Sequence, residues 1–207
     1  MIPTHARPLG ALLVAALCGM AEAAPMSAAE VEAHNAALIA DLDGAIGDPA
    51  HGQRVRWRHI VIHHTANEWS SLERIDRYHR EKFADPDGIE YHFLVGNGKK
   101  RPAGYIEPAR WRIQKRAIHL FKPEGAPDAI AISLVGNLHA RPIGRAQYRA
   151  LRDLVVALAR RHAIPAERIT THTRVDGRLT VCPGRHFPYT RLMKDVRAAL
   201  APAAPPG

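Results

Sequence analysis

The segment from Ala129 to Val135 places the strongest constraint on how this chain folds. Its residues, Ala-Ile-Ala-Ile-Ser-Leu-Val, are apolar on both faces of an extended strand. A strand of this kind is typical of the middle of a sheet that is covered by helices on both sides. The sequence therefore predicts an α/β protein built around this strand.

Other strand and helix patterns alternate along the chain. The predicted strands are 58–63, 91–95, about 103–107 and 168–171, and the predicted helices are 28–46, 71–83, 145–162 and 188–200. Gly96-Asn97-Gly98 predicts a tight turn that joins 91–95 and 103–107 as a hairpin. The alternation predicts a single α/β domain, with a central mixed β-sheet flanked by helices.

The N-terminus has the pattern of an export signal. Arg7 precedes an apolar run, 11–17, and Ala21-Glu22-Ala23 follows, so residues 1–23 are predicted to be a cleaved signal peptide. The apolar run is short for a bilayer crossing, so no stable membrane insertion is expected after cleavage; an uncleaved anchor is the alternative. The expected location is periplasmic or secreted. Residues 24–57 are predicted as an N-terminal helix and linker, 58–200 as the main domain and 201–207 as a disordered tail.

The formal net charge is +9. Such a charge favours nucleic acid, an anionic membrane or an anionic polymer such as a cell wall, and it equally fits a solvated basic face with no dedicated partner. The sequence has no basic motif interleaved with aromatic residues and no glycine-rich phosphate loop. We therefore expect no nucleic-acid partner.

The placement of Cys182 suggests a metal site. If Cys18 leaves with the signal peptide, Cys182 is the one remaining cysteine, which leaves a free thiol, an intermolecular bridge or a metal ligand. His63 ends a predicted strand and His172 follows another, where α/β folds place their sites. Two imidazoles and one thiolate leave one tetrahedral position of Zn²⁺ open, as in catalytic zinc sites. The chain has 13 histidines, so any one of them could instead be structural.

Four motifs occur in an order that resembles a known family. They are Ile-Val-Ile-His-His-Thr-Ala at 60–66, Tyr-His-Phe at 91–93, Ile-Ala-Ile-Ser-Leu-Val-Gly at 130–136, and His172 followed by Cys-Pro-Gly at 182–184. Together they resemble the type 2 N-acetylmuramoyl-L-alanine amidases, which include phage endolysins and the peptidoglycan recognition proteins of animals. The resemblance covers about 58–190.

The resemblance implies one zinc ion bound by His63, His172 and Cys182. It also implies that Tyr91 points its hydroxyl at the metal, and that Thr180 occupies a position that is Lys or Thr in the family. Each of these residues could instead have no catalytic role. Tyr91 could be an ordinary aromatic residue of a strand, and Thr180 could be a loop residue whose side chain hydrogen-bonds to its own backbone.

Three further positions refine the comparison. Ser133 occupies a position that is an acidic general base in one branch of the family, so the chain resembles the branch that uses a tyrosine. Glu90 departs from the family pattern, in which a glycine commonly precedes that tyrosine. His119 matches a position near the substrate, although it could equally be a surface histidine.

The implied function is zinc-dependent hydrolysis of the amide bond between N-acetylmuramic acid and L-alanine in peptidoglycan or muropeptides. Tyr91 and Thr180 are then expected to stabilise the developing oxyanion, and His119 to contact the substrate. One alternative is a non-catalytic peptidoglycan-binding module of the same fold. Another is a structural zinc protein with His186 as the fourth ligand. The sequence predicts no oligomeric state.

Overall fold

The computed structural model describes residues 26–45, 55–116, 126, 128–176 and 180–202. The predicted signal peptide, His119 and residues 203–207 of the predicted tail lie outside the described residues. Along the described part of the chain, no helix combines the length and apolar character that a membrane crossing requires. The elements are α1 (Ala28–Ala40), β1 (His59–His64), α2 (Leu72–Phe83), β2 (Phe93–Val95), β3 (Ile106–Pro108), β4 (Ala129–Leu134), α3 (Arg145–His162), β5 (Ile169–Thr171), α4 (His172–Val175) and α5 (Tyr189–Leu200).

The sheet has five strands in the order β3-β2-β4-β1-β5. Strand β4 is parallel to both of its neighbours, β1 and β5 are also parallel, and β2 and β3 are antiparallel. All six residues of β4 are buried at the centre of the sheet. The predicted mixed sheet in a single α/β domain is therefore confirmed, and so is the central position of its most apolar strand.

Each face of the sheet carries its own hydrophobic cluster. The larger cluster joins Ile60 and Ile62 of β1 to residues of α3 and α5, and the smaller one joins Val61 to Ile75 of α2. Because side chains alternate along a strand, His63 lies on the face of Val61 and α2. The next residue, His64, lies on the face of the larger cluster.

Helix α1 covers the open edge of the sheet. The Asn35 side chain donates to the Gly104 carbonyl at 2.8 Å and accepts from the Ile106 N–H at 3.0 Å. His34 Nε2 lies 3.0 Å from the Ile106 carbonyl, and its ring stacks on Tyr105 with centroids 4.2 Å apart. These contacts satisfy backbone groups of β3, and of the segment just before it, that an edge strand would otherwise expose.

Two predicted boundaries were wrong. Helix α1 was expected to reach residue 46 but ends at Ala40, where the Asp41 carboxylate accepts the Gly44 N–H at 2.7 Å and starts a turn. The hairpin forms, but residues 96–105 connect its strands in place of a tight turn. The Asn97 amide donates to the Glu68 carboxylate and carbonyl, each at 3.0 Å, and so holds this longer connection against the loop after β1.

Candidate metal centre

The parallel pairing of β1 and β5 brings two histidines together. Ile62 pairs with Thr171 at the end of the β1–β5 pairing, so the following residues, His63 and His172, lie side by side. Their ring centroids are 4.6 Å apart. His172 begins the short helix α4 directly after β5.

Cys182 lies near the two histidines, in a loop that contacts both α4 and the loop after β4. The Thr173 N–H donates to the Cys182 carbonyl at 2.8 Å. Gly184 has a φ of +108°, and a β-carbon there would lie 2.4 Å from the backbone of Leu138 and His139. The close approach therefore requires glycine at this position. The peptide bond between Cys182 and Pro183 is cis.

The three candidate ligands meet at one point. One ligand atom from each of His63, His172 and Cys182 lies within 4.8 Å of the other two. Among the described residues, this is the one such group of three or more histidine, cysteine or acidic side chains. His186 does not join it, and its Nε2 instead lies 3.2 Å from Arg185 Nε. The structural-zinc alternative therefore has no support from His186.

The donor set and its spacing fit a zinc ion. At Zn–N and Zn–S bond lengths of about 2.1 and 2.3 Å, two ligand atoms of a tetrahedral site are roughly 3.6 Å apart. Cys182 Sγ and His63 Nδ1 are 3.8 Å apart. The backbone N–H of His64 donates to the same sulfur at 3.3 Å, as groups around thiolate ligands commonly do.

Burial sets the protonation of all three groups. Burial is the largest cause that lowers the pKa of His63 and of His172, and repulsion from His172 lowers the pKa of His63 further. Both imidazoles are therefore neutral near pH 7, which is the form that binds metal. Burial raises the pKa of the Cys182 thiol to about 12, while the His64 N–H acts in the opposite direction. Metal binding must displace the proton of this thiol.

Tyr91 lies beside the three ligands. Its ring centroid is 5.4 Å from that of His63, and the side chain is buried. Burial, and next the charge of an ionised Cys182, raise the pKa of the Tyr91 hydroxyl well above its usual value, and the nearby Ser133 hydroxyl opposes this. Ser133 sits directly opposite His63 in the pairing of β4 with β1. A neutral tyrosine in this position keeps a proton with which to donate a hydrogen bond.

Thr180 lies next to the cysteine ligand, and its hydroxyl is engaged locally. Its Oγ1 accepts the Cys182 N–H at 3.0 Å, which is the backbone contact that the sequence had left open. A hydroxyl that accepts one bond still has a proton to donate. The roles predicted for Tyr91 and Thr180 stay predictions, as does that of His119.

A cluster of buried polar side chains next to Tyr91 was not predicted from the sequence. Arg110, wholly buried, donates to the carboxylate of Asp85 and to the carbonyls of Gly88 and Ile89, the latter at 2.8 Å. On the other side, His79 Nδ1 accepts the Glu90 N–H at 3.1 Å. Two features of the sequence mark this cluster: the departure at Glu90, and the spacing that puts His79 on the same face of its predicted helix as Leu72 and Ile75.

The fold is a single domain with a mixed α/β sheet, and two imidazoles and one thiol that could hold a metal ion gather near the ends of β1 and β5. The chain belongs to the Amidase_2 family, described as N-acetylmuramoyl-L-alanine amidase, whose sequence profile matches residues 53–185. No curated protein sequence matches the chain.

Solved structures share the fold. The endolysin N-acetylmuramoyl-L-alanine amidase LysCS from Clostridium intestinale is similar with a TM-score of 0.55 and 24% identity, over 75% of this chain and 94% of that one. The Drosophila peptidoglycan recognition protein PGRP-SA is similar with a TM-score of 0.54 and 22% identity, over 70% of this chain and 82% of that one. The complex of tracheal cytotoxin with the recognition proteins LCa and LCx includes a chain with a TM-score of 0.52 and 23% identity, covering 67% of this chain and 82% of that one.

Proposed function

We propose that this protein is a zinc-dependent N-acetylmuramoyl-L-alanine amidase, which hydrolyses the amide bond between N-acetylmuramic acid and L-alanine in peptidoglycan or muropeptides. The observation that carries the proposal is the convergence of His63, His172 and Cys182 within 4.8 Å in a chain of the amidase family. The family includes enzymes, and its fold also occurs in recognition proteins. The complete ligand set favours the enzyme.

The protein groups around the site have separate tasks. His63, His172 and Cys182 would hold one zinc ion, with the His64 N–H supporting the thiolate. When bound, the ion supplies a hydroxide nucleophile near neutral pH and acts as a Lewis acid toward the carbonyl. The buried Tyr91 hydroxyl, kept protonated, donates to the oxygen that gains charge. Thr180 is the second candidate donor, from beside the cysteine.

The predicted export signal agrees with this substrate, because peptidoglycan lies outside the cytoplasm. The main alternative is a binding module that recognises muropeptides without cutting them. In such a module the metal ligands have no chemical task, so loss of one of them would leave peptidoglycan binding intact.

Removing the sulfur tests the proposal. We expect Cys182→Ala to lose its zinc and its amidase activity together, because two imidazoles alone give a weak and incomplete site. Metal analysis and mass spectrometry of products from purified sacculi would measure both effects. His186→Ala, which changes an exposed histidine outside the ligand group, is the control and should retain both. Wild-type protein that binds muropeptides but releases no peptide would identify the binding module instead.

A further inference from the structure

We propose that His79 is a positioning residue, which holds the backbone before Tyr91 so that the Tyr91 hydroxyl stays aligned with the metal centre. The inference rests on the proposed amidase function. It deepens that function by assigning a task to a buried histidine that is not one of the three candidate ligands.

His79 is in direct contact with the segment that carries Tyr91. Its side chain is 4% exposed and lies on the face of α2 that covers the sheet. Nδ1 accepts the Glu90 N–H at 3.1 Å. The ring packs against Tyr91, with centroids 5.4 Å apart, and against Phe83, with centroids 5.2 Å apart. The histidine therefore touches both the backbone before the tyrosine and the tyrosine ring.

The hydrogen bond fixes the state of the imidazole. Because Nδ1 accepts a hydrogen bond from a backbone N–H, the neutral ring carries its own proton on Nε2. Burial lowers the pKa of His79, although the nearby Glu90 carboxylate opposes this shift. His79 Nδ1 is therefore unprotonated at neutral pH and can accept the hydrogen bond from the Glu90 N–H across this pH range.

The backbone of residues 88–90 is hydrogen-bonded at both its carbonyl groups and its amide groups. Arg110 binds the carbonyls of Gly88 and Ile89 through its guanidinium and that of Tyr91 through its backbone N–H at 3.0 Å. On the amide side, the Gly88 and Ile89 N–H groups donate to the Asp85 carbonyl and the Asp76 carboxylate, and His79 accepts the N–H of Glu90, the residue directly before Tyr91. In an active site, a misplacement of about 1 Å can cost roughly a hundredfold in rate. A residue that fixes this backbone therefore acts on catalysis through Tyr91.

Two variants separate the hydrogen bond from ring packing. His79→Phe keeps an aromatic ring but loses the acceptor, whereas Asn Oδ1 in His79→Asn occupies nearly the position of Nδ1. We expect His79→Phe to retain its zinc and its KM and to lose about tenfold or more in kcat, and His79→Asn to recover most of that loss. If His79→Phe does not fold, His79→Ala replaces it, because the smaller side chain leaves space for a water at the Glu90 amide.

A double-mutant cycle tests the route through Tyr91. In a Tyr91→Phe background we expect His79→Phe to cause little further loss of kcat, since the group it positions is already absent. Hydrogen exchange at the Glu90 amide of the metal-free protein should be faster in His79→Phe and slow again in His79→Asn. His34→Phe is the matched control, because it also removes a histidine bonded to the backbone and stacked on a tyrosine, but beside β3.

The outcomes separate this inference from the proposed function. A wild-type protein with no amidase activity overturns the proposed function and the inference with it. An active wild type with unchanged kcat in His79→Phe, or with equal losses in both backgrounds, overturns the inference alone. Unchanged exchange at the Glu90 amide in His79→Phe does the same.

Discussion

Tyr91 and Cys182 share one buried environment, and burial raises the pKa of both side chains. The consequences differ. The thiol must lose its proton to bind a metal, whereas the phenol keeps its proton near neutral pH. The same low-polarity surroundings therefore make metal binding at Cys182 dependent on release of a proton, and they keep a neutral hydrogen-bond donor beside the three candidate ligands.

Replacing Tyr91 by Phe removes this donor and little else. We expect Tyr91→Phe to bind zinc as the wild type does and to lose roughly a hundredfold to a thousandfold in kcat, the usual effect of removing one oxyanion donor. Steady-state kinetics on a defined muropeptide, together with metal analysis, would measure this. Loss of zinc in this variant would contradict the assignment of Tyr91 as a non-ligand.

The Arg110–Asp85 ion pair is fully buried, so breaking it should cost far more than breaking a surface pair. We expect Arg110→Met to lower the free energy of unfolding by about 3–5 kcal/mol, because it leaves the Asp85 carboxylate buried without its cation. Arg149→Met, which removes an exposed pair with Glu32, should cost less than about 1 kcal/mol. Urea denaturation of both variants decides between these expectations, and equal losses would contradict the first.

The sequence predicted that His63, His172 and Cys182 lie together, because residue type and position at strand ends carry that information. It could not predict the His64 N–H contact to sulfur or the His79 contact to Glu90. Both depend on backbone amides, which every residue except proline has, and on how closely two segments approach. Residue type alone therefore does not predict such contacts.

At the scale of elements, α1 stabilises a sheet edge that is only three residues long. We expect Asn35→Ala to lower the free energy of unfolding by about 1–3 kcal/mol, because it leaves two backbone groups of the hairpin without their partner. Thermal and urea denaturation would measure the loss. Glu32→Ala, on the exposed side of the same helix, is the control and should have little effect. A loss no larger than that of the control would show that α1 does not protect this edge.

The order and type of the main elements were predictable, since apolar periodicity determines them. The end of α1 and the length of the hairpin connection were not, because both are decided by tertiary contacts. Trp111 Nε1 donates to the Leu42 carbonyl at 3.0 Å, and Asn97 binds Glu68. Neither contact is local in sequence. Local sequence patterns therefore predicted a longer α1 and a tighter turn in the hairpin than the structure has.

At the scale of the whole molecule, buried neutral histidines make stability depend on pH. His92 accepts the Ala131 N–H at Nδ1, at 2.9 Å, and donates from Nε2 to the Lys115 carbonyl, also at 2.9 Å. Burial lowers its pKa to about 3 from 6.5. Between these values the unfolded chain binds a proton that the folded protein does not, so the free energy of unfolding falls as the pH falls below 6.5.

The size of this effect can be measured in the metal-free protein. We expect His92 alone to account for on the order of 2 kcal/mol of the stability lost between pH 7 and pH 5. Urea denaturation at both pH values should show a smaller loss for His92→Asn than for the wild type. His186→Asn, which changes an exposed side chain, should retain the wild-type dependence. Identical pH dependence in all three proteins would contradict this account of His92.

The pairing of β1 with β5 has a consequence for the newly made chain. His63 comes from the first strand, whereas His172 and Cys182 follow the last one. The ribosome therefore makes most of the polypeptide before these three side chains can come together. For the amidase proposed above, an incomplete chain therefore lacks the full set of ligands and would be inactive toward the peptidoglycan of the cell that makes it.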